Sequence, residues 1–439
     1  MSIKQVSIVL ASLAIALPAA AVGVAVVGPR TLVVDDDKQQ CPNAAYTSIT
    51  AAIAAASPGD TIRVCAGLYR ETVVVDKASL SLRGATNGST TEPCLRSDDA
   101  ANPARDSIIN GEVRLEANGV SLDGFTVQGA PATPGVALPA GISTSPEFSG
   151  YAIRRNVVQN NPAGINLNSN GVDPTLVDHN CVRNNNVGEG ADNTLPVGIF
   201  AEQGLLSNAR IEANTFTGHD FGSMFLGYGL EAFPVITAPD TDLTVTHNVS
   251  VDDGVAGIIV SNVRRVEISH NTLTRTGNAV AAYAPASDVL IAHNVVEDSS
   301  FTGIRVDGDP FGCCFFPTGP TNITVAHNHV TGAGVLFPQD GIALNRTSHD
   351  TVRDNLVEGS TRDGIGVRNS NDNVVSGNDA DRNGRDGIRS RGTSSRNLFE
   401  GNHMSGNTEH DAHDENRAAN TWAGNHCDID FPAGTICGR

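Results

Sequence analysis

The stretch Val266-Glu-Ile-Ser-His-Asn271 decides the fold, because it returns as Val289-Leu-Ile-Ala-His-Asn294 and Ile323-Thr-Val-Ala-His-Asn328. In each copy, every second residue is Val or Ile, the kind of side chain that packs in a core, and a His-Asn pair follows the run. Period-two alternation predicts a β-strand, and an Asn directly after it predicts a turn. The chain therefore repeats a short unit of strand and turn.

The Asn of this unit marks a repeat that runs through most of the chain. Successive copies are mostly 23 or 24 residues apart, and the longer intervals fit the same unit with an inserted loop. The positions are Asn156, Asn180, Asn214, Asn248, Asn271, Asn294, Asn328, Asn355, Asn378, Asn402 and Asn425. A Gly-Ile marker keeps step and opens a second alternating run, as in Gly364-Ile-Gly-Val-Arg368. The segment Asn378–Asn383 indicates a third strand.

Such a unit cannot bury its inward side chains alone, but stacked units can. Each strand then pairs in parallel with its equivalent one coil away, and equivalent residues stack ~4.8 Å apart. We therefore predict an all-β solenoid, a parallel β-helix of about 10–13 coils. Its Asn residues form a hydrogen-bonded ladder inside a turn, where Asn also tolerates left-handed backbone.

These features resemble the right-handed parallel β-helix repeat proteins of the pectate-lyase-like superfamily. The resemblance covers residues 31–439 and implies one right-handed β-helix domain. Tyr46–Asp60 resembles the N-terminal capping helix of that family, with one apolar face formed by Ile49, Ala52, Ile53 and Ala56. Asn420–Cys427 resembles its closing coil, which covers an otherwise unpaired edge.

The N-terminus has the pattern of a secretory signal peptide. Lys4 precedes an apolar run, Pro18 interrupts that run, and Ala19–Ala21 offers a cleavage site. We expect residues 1–21 to be removed, or a segment reaching as far as residue 29. An uncleaved membrane anchor is the alternative, because the apolar run continues to Val27. With export, we expect a secreted monomer that is not attached to a membrane.

Eight cysteines in an exported chain predict disulfides. We expect Cys41–Cys65 to hold the N-terminal cap and Cys427–Cys437 to close the C-terminus. The sequence leaves the pairing of Cys94, Cys181, Cys313 and Cys314 open.

The net charge of −19 argues against a nucleic-acid partner, which needs a basic surface. An acidic ligand would need a local cluster of Arg. Alternation places the first and third residues after the Ile of each Gly-Ile unit on the outside. This face collects Arg305, Arg368, Arg389 and Arg391 with Asn345 in its C-terminal half, and Tyr283 and Asp307 in its middle.

The superfamily includes lyases, epimerases and hydrolases of polysaccharides as well as non-enzymatic adhesins, so the resemblance alone implies no single activity. We expect a polysaccharide partner and, for an enzyme, a lyase or epimerase of an acidic glycan. Tyr283, Arg305 and Asp307 are then the catalytic candidates, as acid or base, carboxylate clamp and second acid or base. Arg368, Arg389, Arg391 and Asn345 are the substrate-binding candidates. The alternative function is a non-catalytic extracellular or cell-wall protein with a structural role or one that binds glycan or a partner along its length. For the Arg residues themselves, the alternative is a solvated face that favours solubility.

Two insertions follow the same strand and bracket these candidates. Gly227–Asp242 has Phe225, Tyr228 and Phe233 in or beside it, and Gly308–Thr321 contains Phe311, Phe315 and Phe316. The two insertions would form the sides of a short groove that contains Ser261 and the three catalytic candidates. Alternatively, their aromatic residues pack the loops onto the β-helix, and we favour this second interpretation.

Three patterns suggest metal ligands, although we assign no metal site. His precedes the ladder Asn at His179, His247, His270, His293 and His327, which an exposed turn explains better. His410-Asp-Ala-His-Asp414 lacks a third ligand and suggests a solvated loop. Asp340, Asp363 and Asp386 recur at a spacing of 23, beside Arg362 and Arg385. Ion pairs between these carboxylates and the neighbouring Arg residues explain why like charges can stack in this way, and a bound Ca²⁺ ion is the alternative explanation. A third hypothesis for the function is a helper protein for copper insertion. The chain lacks the cluster of soft Cys, Met and His ligands that copper would need, which argues against it.

Overall fold

A computed structural model describes residues 28–86, 94, 102–131, 138–188, 195–228, 238–309 and 319–437 of the protein. Short strands, numbered here in chain order, stack in three parallel sheets that run side by side along the molecule. The chain visits the sheets in the same order in successive coils, and each strand pairs with its equivalents in the neighbouring coils. The predicted parallel β-helix is confirmed.

Each sheet contains one strand from nearly every coil. Sheet 1 comprises β1 Thr31–Val34, β2 Thr61–Val64, β5 Ser81–Arg83, β8 Ser121–Asp123, β11 Ala152–Arg154, β14 Thr175–Asp178, β17 Ser207–Glu212, β20 Asp240–Thr246, β23 Val263–Ser269, β26 Ser287–Ala292, β29 Thr321–Ala326, β32 Thr351–Arg353, β35 Val374–Ser376, β38 Leu398–Glu400 and β40 Thr421–Ala423. Sheet 2 comprises β4 Val73–Val75, β7 Val113–Leu115, β10 Ala140–Thr144, β13 Ala163–Asn166, β16 Val197–Glu202, β19 Gly222–Tyr228, β22 Ala256–Ser261, β25 Asn278–Tyr283, β28 Ile304–Asp307, β31 Ile342–Asn345, β34 Ile365–Arg368, β37 Asp386–Arg391, β39 His410–Asp414 and β41 Asp430–Phe431. Sheet 3 comprises β3 Gly67–Tyr69, β6 Ser107–Asn110, β9 Phe125–Gln128, β12 Val157–Gln159, β15 Cys181–Arg183, β18 Thr215–Thr217, β21 Val249–Val251, β24 Thr272–Thr274, β27 Val295–Glu297, β30 His329–Thr331, β33 Leu356–Glu358 and β36 Asp379–Asp381.

The core is a set of apolar columns inside the three sheets. Val266, Val289 and Ile323 pair in register in sheet 1, and all three are buried. Leu290, which follows Val289, points outward and is exposed. Burying one such aliphatic side chain stabilises the fold by about 1.5–3 kcal/mol. The alternation therefore assigns each residue to the core or to the surface.

The predicted Asn ladder lies at the corner between sheets 1 and 3. Asn271 Oδ1 accepts from the backbone N and the Nδ2 of Asn248 at 2.9 and 3.0 Å, and Asn271 Nδ2 donates to Asn294 Oδ1 at 3.0 Å. The same links join all eleven predicted Asn residues. The left-handed residue is not the Asn but the one before it, for example His270 with φ 56°. That residue turns the chain, and the Asn side chain then points inward.

Two shorter polar ladders lie at the other corners. Asn161 bonds to Asn185 between sheets 3 and 2. Asp350, Asn373, Asn397 and Asn420 are linked between sheets 2 and 1. These ladders satisfy buried backbone groups where the strands end.

The ends of the helix are covered as the resemblance implies. Helix α1 spans Ile49–Ala55, and its Ile49, Ala52 and Ile53 are buried. It is shorter than the predicted segment, because Ser48 caps its start and Ser57-Pro58-Gly59 follows its end. At the other end, Trp422 stacks on Phe399 with ring centres 4.0 Å apart.

The two predicted disulfides, Cys41–Cys65 and Cys427–Cys437, are present. A third joins Cys94 to Cys181, which are 87 residues apart. Cys313, Cys314 and the predicted signal peptide lie outside the described residues. In the part of the chain that the structure describes, no helix is long and apolar enough to cross a membrane.

Candidate active or glycan-binding cleft

The outer face of sheet 2 changes character along its length. Its N-terminal part carries a second apolar cluster, separate from the core, that includes Phe200, Phe225, Ile259 and Tyr283. Phe225 contacts Phe221 and Tyr228, with ring centres 4.9 and 5.5 Å apart. Phe225 and Tyr228 thus pack onto the helix. Phe233, Phe311, Phe315 and Phe316 of the predicted groove walls lie outside the described residues.

The C-terminal part of the same face is polar and forms a cleft of about 230 Å³. Parallel pairing stacks Asp307, Asn345, Arg368 and Arg391 in one outward column. The cleft is lined by Thr302, Arg305, Asp307, Gln339, Asp340, Ala343, Leu344, Asn345, Arg362, Gly366, Arg368 and Arg391. Four guanidinium groups therefore surround one concave surface, with two carboxylates to balance half of their charge.

Arg305 and Asp307 form a fixed ion pair at one end of the cleft. Arg305 Nε donates to Asp307 Oδ2 at 2.8 Å, and the Asp307 side chain is fully buried. Asp307 Oδ1 also accepts from Asn345 Nδ2 and from the backbone N of Asp309, both at 2.8 Å. With its oxygens occupied in this way, Asp307 orients Arg305 and Asn345.

Tyr283 lies beside this pair but is not among the residues that line the cleft. It pairs in register with Asp307, and burial raises the pKa of its phenol to about 12 although the charge of Arg305 opposes the shift. The neutral phenol is therefore the stable form near neutral pH. The catalytic candidates Tyr283, Arg305 and Asp307 are neighbours, but only the last two reach the cleft.

Arg362 and Asp340 line the cleft as an ion pair. Arg362 Nε and Nη2 donate to the two oxygens of Asp340 at 2.6 and 2.8 Å. Gly366 leaves room for this pair, since a Cβ there would lie 2.4 Å from Asp340 Oδ2. One coil further on, Arg385 engages Asp363 in the same way. These carboxylates are thus held by guanidinium groups, as the paired ladder predicts.

The remaining substrate-binding candidates separate into two groups. Arg368, Arg391 and Asn345 line the cleft, whereas Arg389 donates to Asp386 at 3.0 Å and to Glu415 at 2.8 Å. Among the described residues, Arg391 Nε and Asn345 Oδ1 are buried without a hydrogen-bond partner. Burial also lowers the pKa of Arg391. Two residues of the lining thus each hold one buried polar atom without a partner, a donor in Arg391 and an acceptor in Asn345.

An aromatic pair that neighbours the cleft lining in the sequence was not predicted. Phe337 is 57% exposed and stacks on Phe301 with ring centres 5.7 Å apart. These residues adjoin Gln339 and Thr302 of the lining. Their signal in the sequence is the apolar run Val335-Leu-Phe337, which two residues separate from Asp340 and the Gly341-Ile marker.

The His residues before the ladder Asn lie on the outside of the helix. His247, His270, His293 and His327 are exposed and stack in a row with ring centres 4.9–5.1 Å apart. Face-to-face stacking does not aim their nitrogen atoms at a common point. The exposed-turn interpretation fits this arrangement.

Comparison with known proteins agrees with the fold. Residues 256–430 match the family model for the right handed beta helix region. No curated protein sequence matches the chain. The structure resembles the catalytic domain of a GH87 α-1,3-glucanase solved in complex with nigerose (TM-score 0.54, 11% identity, 86% of this chain and 67% of that chain). It also resembles PfbA, a surface adhesin of Streptococcus pneumoniae (TM-score 0.51, 14% identity, 85% and 87%). A third similar structure is the A-module of the Azotobacter vinelandii mannuronan C-5 epimerase AlgE4 (TM-score 0.45, 14% identity, 89% and 94%).

Proposed function

We propose that this right-handed parallel β-helix protein binds an acidic polysaccharide in the cleft of sheet 2, outside the cell. The observation that carries the proposal is the convergence of Arg305, Arg362, Arg368 and Arg391 on one concave surface of a chain whose net charge is −19. Guanidinium groups match carboxylates and sulfates in shape and charge. A local cluster of this kind overcomes the repulsion that the acidic chain exerts on an anion.

The unused groups of the cleft specify the ligand further. Once a ligand moves their side chains enough to uncover these atoms, Arg391 Nε can donate to a carboxylate oxygen, and Asn345 Oδ1 can accept from a sugar hydroxyl. An unpaired buried polar group costs about 1–3 kcal/mol, so a ligand that pairs with both gains affinity. The exposed ring of Phe337, two residues before Gln339 of the lining, offers an apolar face for a sugar ring.

The location rests on the three disulfides and the predicted signal peptide, since disulfides persist in oxidising compartments. The fold serves a glucanase and a surface adhesin among the similar structures. Because these two proteins share only 11% and 14% sequence identity with this chain, they indicate only that the fold is suited to glycan binding and to surface attachment.

A lyase or epimerase is the second candidate, favoured by the contact between Tyr283 and Arg305. That reaction needs a base that removes the C5 proton of the uronate and an acid that protonates the leaving glycosidic oxygen in elimination, or C5 from the opposite face in epimerisation. The neutral phenol of Tyr283 is the candidate for the acid, and Arg305 would hold the uronate carboxylate. Asp307 positions Arg305. Incubation with polyuronates tests elimination by the ultraviolet absorbance of an unsaturated uronate, and tests epimerisation by the sugar composition of the product.

Binding is tested with Arg368→Gln and Arg391→Gln, using calorimetric titration with polyuronate oligosaccharides at two ionic strengths. Each change should weaken binding by about 1.5–3 kcal/mol, the range for charged hydrogen bonds, and salt should weaken binding to the wild type. Arg396→Gln is the matched control, because Arg396 is an exposed Arg that pairs with Asp372 outside the cleft. Equal affinity of all four proteins, or equal binding of a neutral glucan, would exclude the proposal.

A further inference from the structure

Near its C-terminal end, sheet 2 brings together two imidazoles and a carboxylate from different coils. His410 and His413 lie in β39, which pairs in parallel with β37 so that His410 stands opposite Asp386. The sequence shows a His-Asp-Ala-His segment without a third ligand, and the preceding coil supplies that ligand. The segment is a strand, not the solvated loop that we expected.

The positions of the ligand atoms suit a small metal ion. His410 Nδ1 lies 3.0 Å from Asp386 Oδ1, and His413 Nδ1 lies 3.3 Å from Asp386 Oδ2. One ligand atom from each of the three residues lies within 4.8 Å of the others. In a tetrahedral Zn²⁺ site with bonds of about 2.0–2.1 Å, ligand atoms are about 3.3 Å apart. Only small side-chain movements separate this arrangement from coordination.

The Asp ladder changes its partners at this point. Asp340 and Asp363 are each held by an Arg of the next coil, Arg362 or Arg385. The residue that precedes Asp386's partner His410 is Glu409, so no Arg from that coil takes the equivalent place. From the next coil Asp386 faces two imidazoles instead, and the Arg residues beside it, Arg385 at 3.5 Å and Arg389 at 3.0 Å, come from its own coil. An imidazole nitrogen can bind a metal ion, whereas a guanidinium cannot.

The surroundings hold the three ligands in place. The Asp386 side chain is fully buried, and Arg389 Nη1 donates to its Oδ2 at 3.0 Å. Arg389 also bonds to Glu415, which balances its charge. Such second contacts orient a ligating carboxylate. The ring of Phe431 covers the histidines, with ring centres 4.8 Å from His413 and 5.7 Å from His410.

His413 also has an unused ligand atom. Its Nδ1 is buried and has no hydrogen-bond partner among the described residues, because the approach to Asp386 at 3.3 Å does not have hydrogen-bond geometry. An unsatisfied nitrogen at this position costs stability unless an ion or water uses it.

We propose that Asp386, His410 and His413 form a binding site for a divalent transition-metal ion of the Zn²⁺ type. Two imidazoles and one carboxylate favour Zn²⁺, Ni²⁺ or Cu²⁺ over Ca²⁺, which prefers oxygen ligands. The site is independent of the glycan proposal, since none of its ligands lines the cleft. A bound ion would tie the penultimate strand of sheet 2, β39, to β37.

The test is a calorimetric titration of the chelator-treated, full-length protein with Zn²⁺, together with thermal unfolding. We expect one saturable site and a higher melting temperature with Zn²⁺ than with EDTA. His410→Asn and His413→Asn should each weaken binding by at least about 10–100-fold, since loss of a second-shell partner alone has that effect. Both variants should also lose the Zn²⁺-dependent rise in melting temperature.

His270→Asn is the control, because His270 belongs to the exposed row of stacked imidazoles. It should bind Zn²⁺ as the wild type does. Wild-type protein without saturable binding, or equal binding by His413→Asn, would overturn the proposal. So would a loss of binding in His270→Asn alone. If a variant is less stable in EDTA, the Zn²⁺-dependent shift still separates coordination from a structural His–Asp contact, which Zn²⁺ does not strengthen.

Discussion

The guanidinium carbon of Arg305 lies 5.8 Å from the centre of the Tyr283 ring. This contact joins the outer apolar cluster to the polar cleft. A cation near an aromatic face gains about 0.5–2 kcal/mol, and more as the pair loses water. Arg305 is thus held by the ring on one side and by the Asp307 carboxylate on the other. Its charge is fixed in the cleft before any ligand arrives.

Arg305→Ala should therefore destabilise the fold as well as weaken glycan binding. It leaves the buried Asp307 carboxylate without its cation, and we expect a loss of about 3 kcal/mol, the lower end for a broken buried ion pair. Urea unfolding measures this loss. Asp307→Asn in the same chain should recover part of it. Arg264→Ala, which breaks the exposed pair with Asp288, should cost at most about 1 kcal/mol. Equal effects of the two Arg changes would contradict the buried pair.

Asn271→Ala should interrupt the main ladder and lower the free energy of unfolding by about 1–3 kcal/mol. The substitution leaves the buried backbone N of Asn248 without its acceptor and removes one of the three acceptors of Asn248 Nδ2, which keeps its bonds to Ile211 O and Thr246 O. Asn43→Ala, at an exposed turn, is the control and should have little effect. Thermal and urea unfolding measure both. An unchanged transition for Asn271→Ala would argue against an energetic role for the ladder.

Asp350→Asn should change how stability depends on pH. Burial raises the pKa of Asp350 to about 7, above the usual 3.8 of an exposed Asp. Between these values the folded protein keeps a proton that the unfolded chain has released. Stability therefore falls as pH rises through this window, by up to about 1.4 kcal/mol per pH unit. The Asn variant should lose this contribution and gain stability relative to the wild type near pH 7.

Unfolding curves at several pH values between about 4 and 7 measure this difference. Asn373, Asn397 and Asn420 occupy the equivalent corner in later coils, so Asn fits the position. Asp240 also has a pKa raised to about 7 by burial and remains in the variant. The exposed Asp76→Asn is the control. Parallel pH curves for the wild type and Asp350→Asn would refute the assignment.

Replacing Cys94 and Cys181 by Ser should destabilise the protein more than replacing Cys427 and Cys437. The first disulfide closes a segment of 87 residues and the second one of 10. Loop-closure entropy gives about 4–5 kcal/mol for the first and about 3 kcal/mol for the second. Unfolding of the two double variants under identical conditions decides the order. The reverse order would show that native-state contacts outweigh chain entropy here.

The coil architecture could be predicted because each coil repeats its own evidence. The Asn spacing and the alternation around Val289 determine which residues of neighbouring strands pair, since inward residues must stack on inward residues. Arg305, Asn345, Arg368 and Arg391 could be assigned to one face by the same rule. What alternation cannot show is whether an outward residue meets water, so the burial of Tyr283 and Phe200 was not foreseen.

Contacts between coils were predicted less well, because loops change the number of residues in a turn. Asp386 and His410 are 24 residues apart, one more than the spacing of the Asp ladder, and this step hid their pairing. Arg389 bonds to Asp386 and Glu415 rather than pointing into the cleft, and alternation does not show which neighbouring group a side chain will bond to. The Cys94–Cys181 pair likewise needed the three-dimensional path of the chain.

The main Asn ladder also governs how such a protein can change its length over evolution. Asn248, Asn271 and Asn294 present the same groups to their neighbours at steps of 23 residues. Loss of one whole step would let Asn248 meet Asn294 with no link broken, whereas loss of a single residue within a strand would turn every later inward side chain of that strand outward. Insertions and deletions should therefore accumulate as complete turns or as corner loops. The distance from the N-terminal cap to the cleft would then vary in increments of ~4.8 Å.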